Sequence, residues 1–294
     1  MKFISLPQLP KRKAIRTTLL LLLLLELNAC SYFIDSATES FSEHLTQAVL
    51  NHNDPLTVAA ALPAYLLMQE ASTIDNQENA TLYLSTARLY GAYLNLVPED
   101  PERKRHLSRK SLDFALQGLC IHATDWCDIE HQSFDRAQAL LQQSGVDDVS
   151  HLFSAATAWA AWIQANKDDW NAVAQLARVK AIMRRILELN ESYKQGSAHL
   201  YMAVMESLLP ENLGGNPDQA RQHFERAMQL APANLMTPVL YAKHYARMVF
   251  DRDLHDKLLR RTLDAQTVAP DLTLINTLAQ QQARQLLDTA EDYF

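Results

Sequence analysis

The sequence predicts an all-α fold, a solenoid of helical hairpins with degenerate repeats, and three observations predict it. Only six glycines occur among 294 residues, whereas Ala, Leu, Gln and Glu, all good helix formers, are abundant. No alternating valine- or isoleucine-rich run of five residues or more is present to make a strand. Apolar residues recur instead at three- and four-residue steps, interrupted by short turns, so neighbouring helices should run antiparallel.

Residues 1–29 stand outside this pattern. Lys2, Lys11, Arg12, Lys13 and Arg16 precede an unbroken run of seven leucines, closed by Leu27, Asn28, Ala29 and Cys30. Basic residues hold the cytoplasmic end at an anionic leaflet, while the leucines enter hydrocarbon and present Ala29 to a peptidase. The run is far shorter than the roughly 20 apolar residues of a spanning helix. The expectation is a lipoprotein signal peptide that is removed, leaving Cys30 acylated as the first mature residue. Two or more acyl chains, such as palmitate, anchor stably at about 0.8 kcal/mol per buried methylene. Glu26 and Asn28 depart from the usual form, and simple secretion or a retained cytosolic chain are the alternatives. Ser31 stands where an Asp would hold such a protein at the inner membrane, so attachment to the outer membrane, facing the periplasm, is expected. Residues 30–34 then form a short lipid-anchored tether, and residues 35–294 a single helical domain.

Removing the leader takes away five basic residues and one acidic one, leaving 22 basic against 33 acidic residues and a net charge of −11. An acidic surface does not neutralise phosphates, so nucleic acid is excluded as a partner.

From Asp35 onward, Phe41, Leu45, Ala48 and Val49 mark an amphipathic first helix. Asp54 caps and Pro55 opens a second, which passes Pro63, a residue expected to kink it, toward Met68 and Ala71. A polar stretch, residues 72–79, separates this from a helix bearing Leu82, Ala87, Tyr90, Tyr93 and Leu94 that ends before Pro98. Pro101 starts the next, reaching about Leu119. Further helices are expected over residues 129–143, 149–166, 169–190, 196–209, 216–230, 235–250, 253–267 and 271–289.

Cys120 and Cys127 remain once Cys30 is acylated, with six residues between them, in a compartment where disulfides persist. Their spacing suits a disulfide that pins a helix corner. Two free thiols, or a metal site with His122 and His131, are the alternatives, the latter without any C-x-x-C turn to favour it.

One repeat unit stands out. Ala220, Phe224, Ala227 and Pro232 fall at the spacing of the second helix of a tetratricopeptide repeat, in which small residues admit the paired helix, Phe fills the gap and Pro ends the turn. Val179, Met183 and Ile186 occupy the first three of those positions upstream, so that unit is degenerate.

No catalytic motif is present. The ten histidines include no H-E-x-x-H pair, and there is no G-x-S-x-G elbow, P-loop or G-x-G-x-x-G. Asp147, Asp148, Asp168 and Asp169 precede helical patterns, where they favour the helix dipole. Glu206 is expected to face either a groove or solvent. The chain reads as a non-enzyme with no cofactor, no metal and no catalytic residue. Tyr90, Tyr93, Tyr201, Tyr241 and Tyr245 are the candidates to line a groove or pore, although aromatic residues at helical spacing are usually core.

Residues 196–265 carry a resemblance to a known family. They include Tyr201, the turn Leu213, Gly214, Gly215, Asn216 and Pro217, the helix bearing Ala220, Phe224 and Ala227, then Leu240, Tyr241, His244 and Tyr245, and Asp251 to His255. With Asp54 to Pro63, these resemble the T-component lipoproteins associated with TRAP transporters, a tetratricopeptide-like family often called TatT. The resemblance implies a periplasmic lipoprotein that docks a TRAP-type solute-binding protein, with a homotrimer as one candidate assembly and a groove or pore that assists ligand transfer. A carrier binding a hydrophobic or organic-acid ligand directly, and a general adapter for envelope assembly, are the competing readings.

Overall fold

Capping side chains decide where the helices begin. Asp54, Asn79, Asp100, Ser133, Asp169, Asn216 and Asp251 each accept a hydrogen bond from a backbone N–H two or three residues ahead, satisfying a donor that the first helical turn leaves free. Pro55, Pro101 and Pro217 follow three of these caps, in the position where a missing N–H costs nothing.

The computed structural model describes residues 44–97, 100–208, 211 and 215–294. The leader, Cys30 and its tether, the start of the first helix, and Leu209, Pro210, Leu213 and Gly214 of the family-like turn lie outside the described residues. Among the described residues every regular element is helical. Residues 44–50 are helical (α1), and the chain divides into a unit ending at Val49 and one spanning Leu50–Phe294.

The larger unit contains α2 (Pro55–Asp75), α3 (Ala80–Leu94), α4 (Pro101–His122), α5 (Phe134–Gln143), α6 (Val149–Ala165), α7 (Trp170–Ala174), α8 (Leu176–Asn190), α9 (Ser197–Glu206), α10 (Pro217–Leu230), α11 (Met236–Leu240), α12 (Arg252–Asp264) and α13 (Thr273–Asp288). Helix α2 packs on α3, α3 on α4, α4 on α6, α6 on α8, α8 on α9, α9 on α10 and α12 on α13. An open solenoid keeps its end repeats apart. Here α13 also touches α2, and Asn51 exchanges two hydrogen bonds with Asp271, at 3.1 and 2.8 Å.

Several boundaries differ from expectation for local reasons. Helix α2 continues through Pro63 and into the polar stretch as far as Asp75. The expected 129–143 helix starts only at Phe134, because buried Ile129 is tucked beneath a turn and Ser133 supplies the cap. The expected 169–190 helix is interrupted at Gln175, giving α7 and α8.

Among the described residues, two large apolar clusters and a smaller one of Ala87, Ala115 and Ala158 fill the interior. Trp159, Leu152, Ile182, Met183 and Ile186 centre one large cluster, and Phe224, Val239, Leu259 and Ala279 the other. Val179, Met183 and Ile186 are all fully buried on α8, as Ala220, Phe224 and Ala227 are on α10, with bulkier side chains at the two alanine positions. Close approach is also built in: a Cβ on Gly118 would lie 2.8 Å from Leu84 Cγ, where α3 crosses α4.

Candidate functional site

The repeat unit picked out by spacing is the foundation of the most irregular region. Ala220, Phe224 and Ala227 are buried on one face of α10, which ends at Leu230, two residues before Pro232. The Phe224 ring stacks on Tyr241 at 4.7 Å with 12° between planes, and Tyr241 meets Tyr245 at 5.2 Å. Both tyrosines lie in a π-helical segment, Tyr241–Ala246, that continues α11. A π-turn sets Tyr241, Ala242, Tyr245 and Ala246 inward together. Burial pushes up the phenols of Tyr241 and Tyr245 and holds His244, on the same segment, down to about 4.

Beyond this segment the chain turns at Phe250, whose φ of 57° is costly for a bulky side chain. That turn leaves the ring 67% exposed. It lies 5.9 Å from Tyr293 and 5.7 Å from Phe294, forming an aromatic face with half-exposed Tyr293. Arg247 stacks over Tyr293 at 4.7 Å, yet its buried Nε has no hydrogen-bond partner. Beneath Phe294 lies fully buried His255, whose Nδ1 meets Asp256 Oδ1 at 3.0 Å while its Nε2 is unpartnered. Two orphaned nitrogens beside one aromatic cluster mark a place where the fold tolerates polar groups it does not satisfy.

A second irregularity joins α8 to α9. Lys194, Gln195 and Gly196 all take left-handed backbone conformations, with φ of 49°, 56° and 74°. Side chains brace this turn from both ends: His199 Nε2 donates to Glu191 Oε1 at 3.0 Å, and Arg226 of α10 donates to both Glu191 oxygens at 2.8 and 2.9 Å. Arg226 first and His199 second hold the Glu191 carboxyl down to about 2. His199 and His223 face each other through their Nδ1 atoms at 2.8 Å, and burial, reinforced by His199, lowers the His223 pKa. Glu206 faces neither groove nor solvent as expected; it is buried and receives Lys180 Nζ at 2.9 Å. Spacing alone could not find that pair, because the partners lie on different helices.

The five candidate tyrosines do not converge. Tyr90 on α3 is buried against Phe114 and donates its hydroxyl to Glu70, which also receives Lys110 Nζ at 2.7 Å. Tyr93 on the same helix accepts from Arg103 at 3.2 Å. Tyr201 packs edge-on against Phe153 at 5.9 Å. Only Tyr241 and Tyr245 are together.

Cys120 and Cys127 are joined in a disulfide with Cα atoms 4.4 Å apart. The metal alternative fails on geometry. His122 Nε2 meets Asp148 Oδ1 at 2.7 Å and stacks on His151 at 3.6 Å, while His131 lies exposed beside Asp128. Among the described residues, no three His, Cys, Asp or Glu side chains form a group that could hold a metal. Burial raises Asp148, but the hydrogen bonds from His122 and the Gly145 N–H outweigh it and leave its carboxyl below the usual value.

An uncharacterized protein of Treponema pallidum (strain Nichols) is 24% identical over 272 residues, spanning 85% of this chain and 83% of its own length. The family model of the TRAP transporter T-component matches residues 51–294, which include α2 to α13 and both irregular segments. The chain therefore belongs to the TRAP transporter T-component family.

Proposed function

We propose that this protein is a non-enzymatic, periplasm-facing lipoprotein scaffold, held at the outer membrane by acylated Cys30, that docks a TRAP-type solute-binding protein and assists ligand transfer. Membership of a transporter-component family carries this reading. The docking surface in this reading is the aromatic face of Phe250 and Tyr293 with Arg247. Interface hot spots are enriched in aromatic residues and Arg, and this face offers both. Arg247, whose guanidinium donates to Thr289 Oγ1 at 3.5 Å, would offer a partner carboxylate a charge-assisted hydrogen bond.

Binding of the full chain, in detergent or nanodiscs, to the solute-binding protein of the same organism tests the reading by biolayer interferometry. Phe250→Glu is expected to weaken binding tenfold or more, as loss of an interface anchor worth over about 1.4 kcal/mol does. Absence of binding by the wild type ends the docking reading. Binding indifferent to both Phe250→Glu and Tyr293→Ala ends the assignment of this face.

A further inference from the structure

Helix α2 is apolar on both sides. Val58, Leu62 and Leu66 are buried against the rest of the unit. On the opposite side Leu56, Ala60, Ala64, Leu67, Ala71 and Ile74 follow one another at three- and four-residue steps, all exposed, with Met68 beside them. Leu56 is 80% exposed, Leu67 68%, Met68 61% and Ile74 68%. The outward stripe runs about 27 Å at 1.5 Å per residue. Between Pro55 and Ile74 the only charged residue is Glu70, and it turns aside to Lys110 and Tyr90. A helix with apolar residues all round is ordinarily covered on every side.

We propose that this outer face of α2 lies against the surface of the bilayer in which the protein is anchored. The inference rests on the anchoring of Cys30. Twenty-four residues separate Cys30 from Pro55, a tether of at most about 90 Å even if fully extended, so the stripe stays at high effective concentration near the membrane. Its chemistry suits that occupant. The stripe itself carries no charged side chain, only apolar ones able to enter the boundary between headgroups and acyl chains. Charge points the same way. A chain of net charge −11 is repelled by anionic lipid, and α2 is a 21-residue element on which the sole exposed acid is Asp75 at its last position.

The test is site-specific photocrosslinking of the full chain, purified with its native N-terminus and reconstituted in phosphatidylethanolamine and phosphatidylglycerol vesicles. Leu67→p-benzoylphenylalanine reports on the stripe, and the same substitution at exposed Lys257 of α12 is the control. Both side chains are solvent-facing, so neither substitution disturbs packing. At least a tenfold excess of phospholipid adduct at position 67 over position 257 is expected. Equal yields at the two positions, or adducts at 67 to a second copy of the chain, overturn the proposal. The mass of the N-terminal peptide from the same sample separates the two readings. Acylated Cys30 without the excess at 67 refutes the membrane face alone. Unacylated Cys30 refutes the anchor, and the adduct ratio then decides the face independently.

Discussion

The corner between α4 and α5 should weaken by a calculable amount when its covalent bridge is removed. Cys120 and Cys127 lie seven positions apart and close a loop of eight residues. In the chain-entropy treatment such a cross-link stabilises the fold by about 2.5 kcal/mol at 25 °C, because the unfolded chain loses loop freedom. The corner it pins buries Trp126 and Ile129, and Arg178 braces the same turn by donating to the Ile129 and Gln132 carbonyls at 2.8 and 2.9 Å. These braces survive reduction, so the fold should persist and only its unfolding midpoint should move. For a domain of this size 2.5 kcal/mol corresponds to roughly 5–10 °C in Tm. The assay is thermal and urea unfolding of the oxidised protein, the protein in a phosphine reductant, and Cys120→Ser with Cys127→Ser. The last two should agree with each other and fall below the first. A reductant that leaves the midpoint unchanged, or thiol labelling of both cysteines in unreduced denatured protein, refutes the reasoning.

Four other perturbations follow from single features of the fold. Lys180→Met strands the buried Glu206 carboxylate, so it should destabilise by about 3–5 kcal/mol, whereas Lys180→Met combined with Glu206→Leu should recover most of that in urea unfolding. Phe224→Ala should cost about 3–5 kcal/mol and disturb near-UV dichroism from the stacked Tyr241; a loss below 1 kcal/mol would mean the repeat position is not core. Gly196→Ala should destabilise markedly, since φ is +74° and a Cβ there would lie 2.3 Å from Leu230 Cδ1; unchanged stability would contradict the left-handed turn. Burial, helped by Lys243 and Arg247, holds His244 at about 4 against 6.5 in the unfolded chain, so the unfolded state binds the proton first as pH falls. That stability is complete above pH 6.5 and lost on descent to about 4, with roughly 2 kcal/mol gone by pH 5; His244→Asn should flatten the urea midpoint over that window.

The helical architecture is legible in local chemistry. Asp54 with Pro55, Asp100 with Pro101 and Asn216 with Pro217 announce helix starts because a cap and a fixed φ act within a single turn. The spacing of Ala220, Phe224 and Ala227 declares a buried face for the same reason: residues one turn apart on a helix share a side whatever surrounds them. Other features needed the packed chain. The π-turn at Tyr241–Ala246, the left-handed Phe250 and the left-handed Lys194 and Gln195 are each unfavourable in isolation, so no local preference encodes them, and they persist because neighbouring elements hold them. Glu206 shows the limit most plainly. Its sequence neighbours leave its direction open, and only the approach of α8, bringing Lys180 Nζ to 2.9 Å, turns the carboxylate inward. The return of α13 to α2, sealed by Asn51 and Asp271 across 220 positions, is likewise a product of tertiary structure, since it depends on the accumulated geometry of every helix between them.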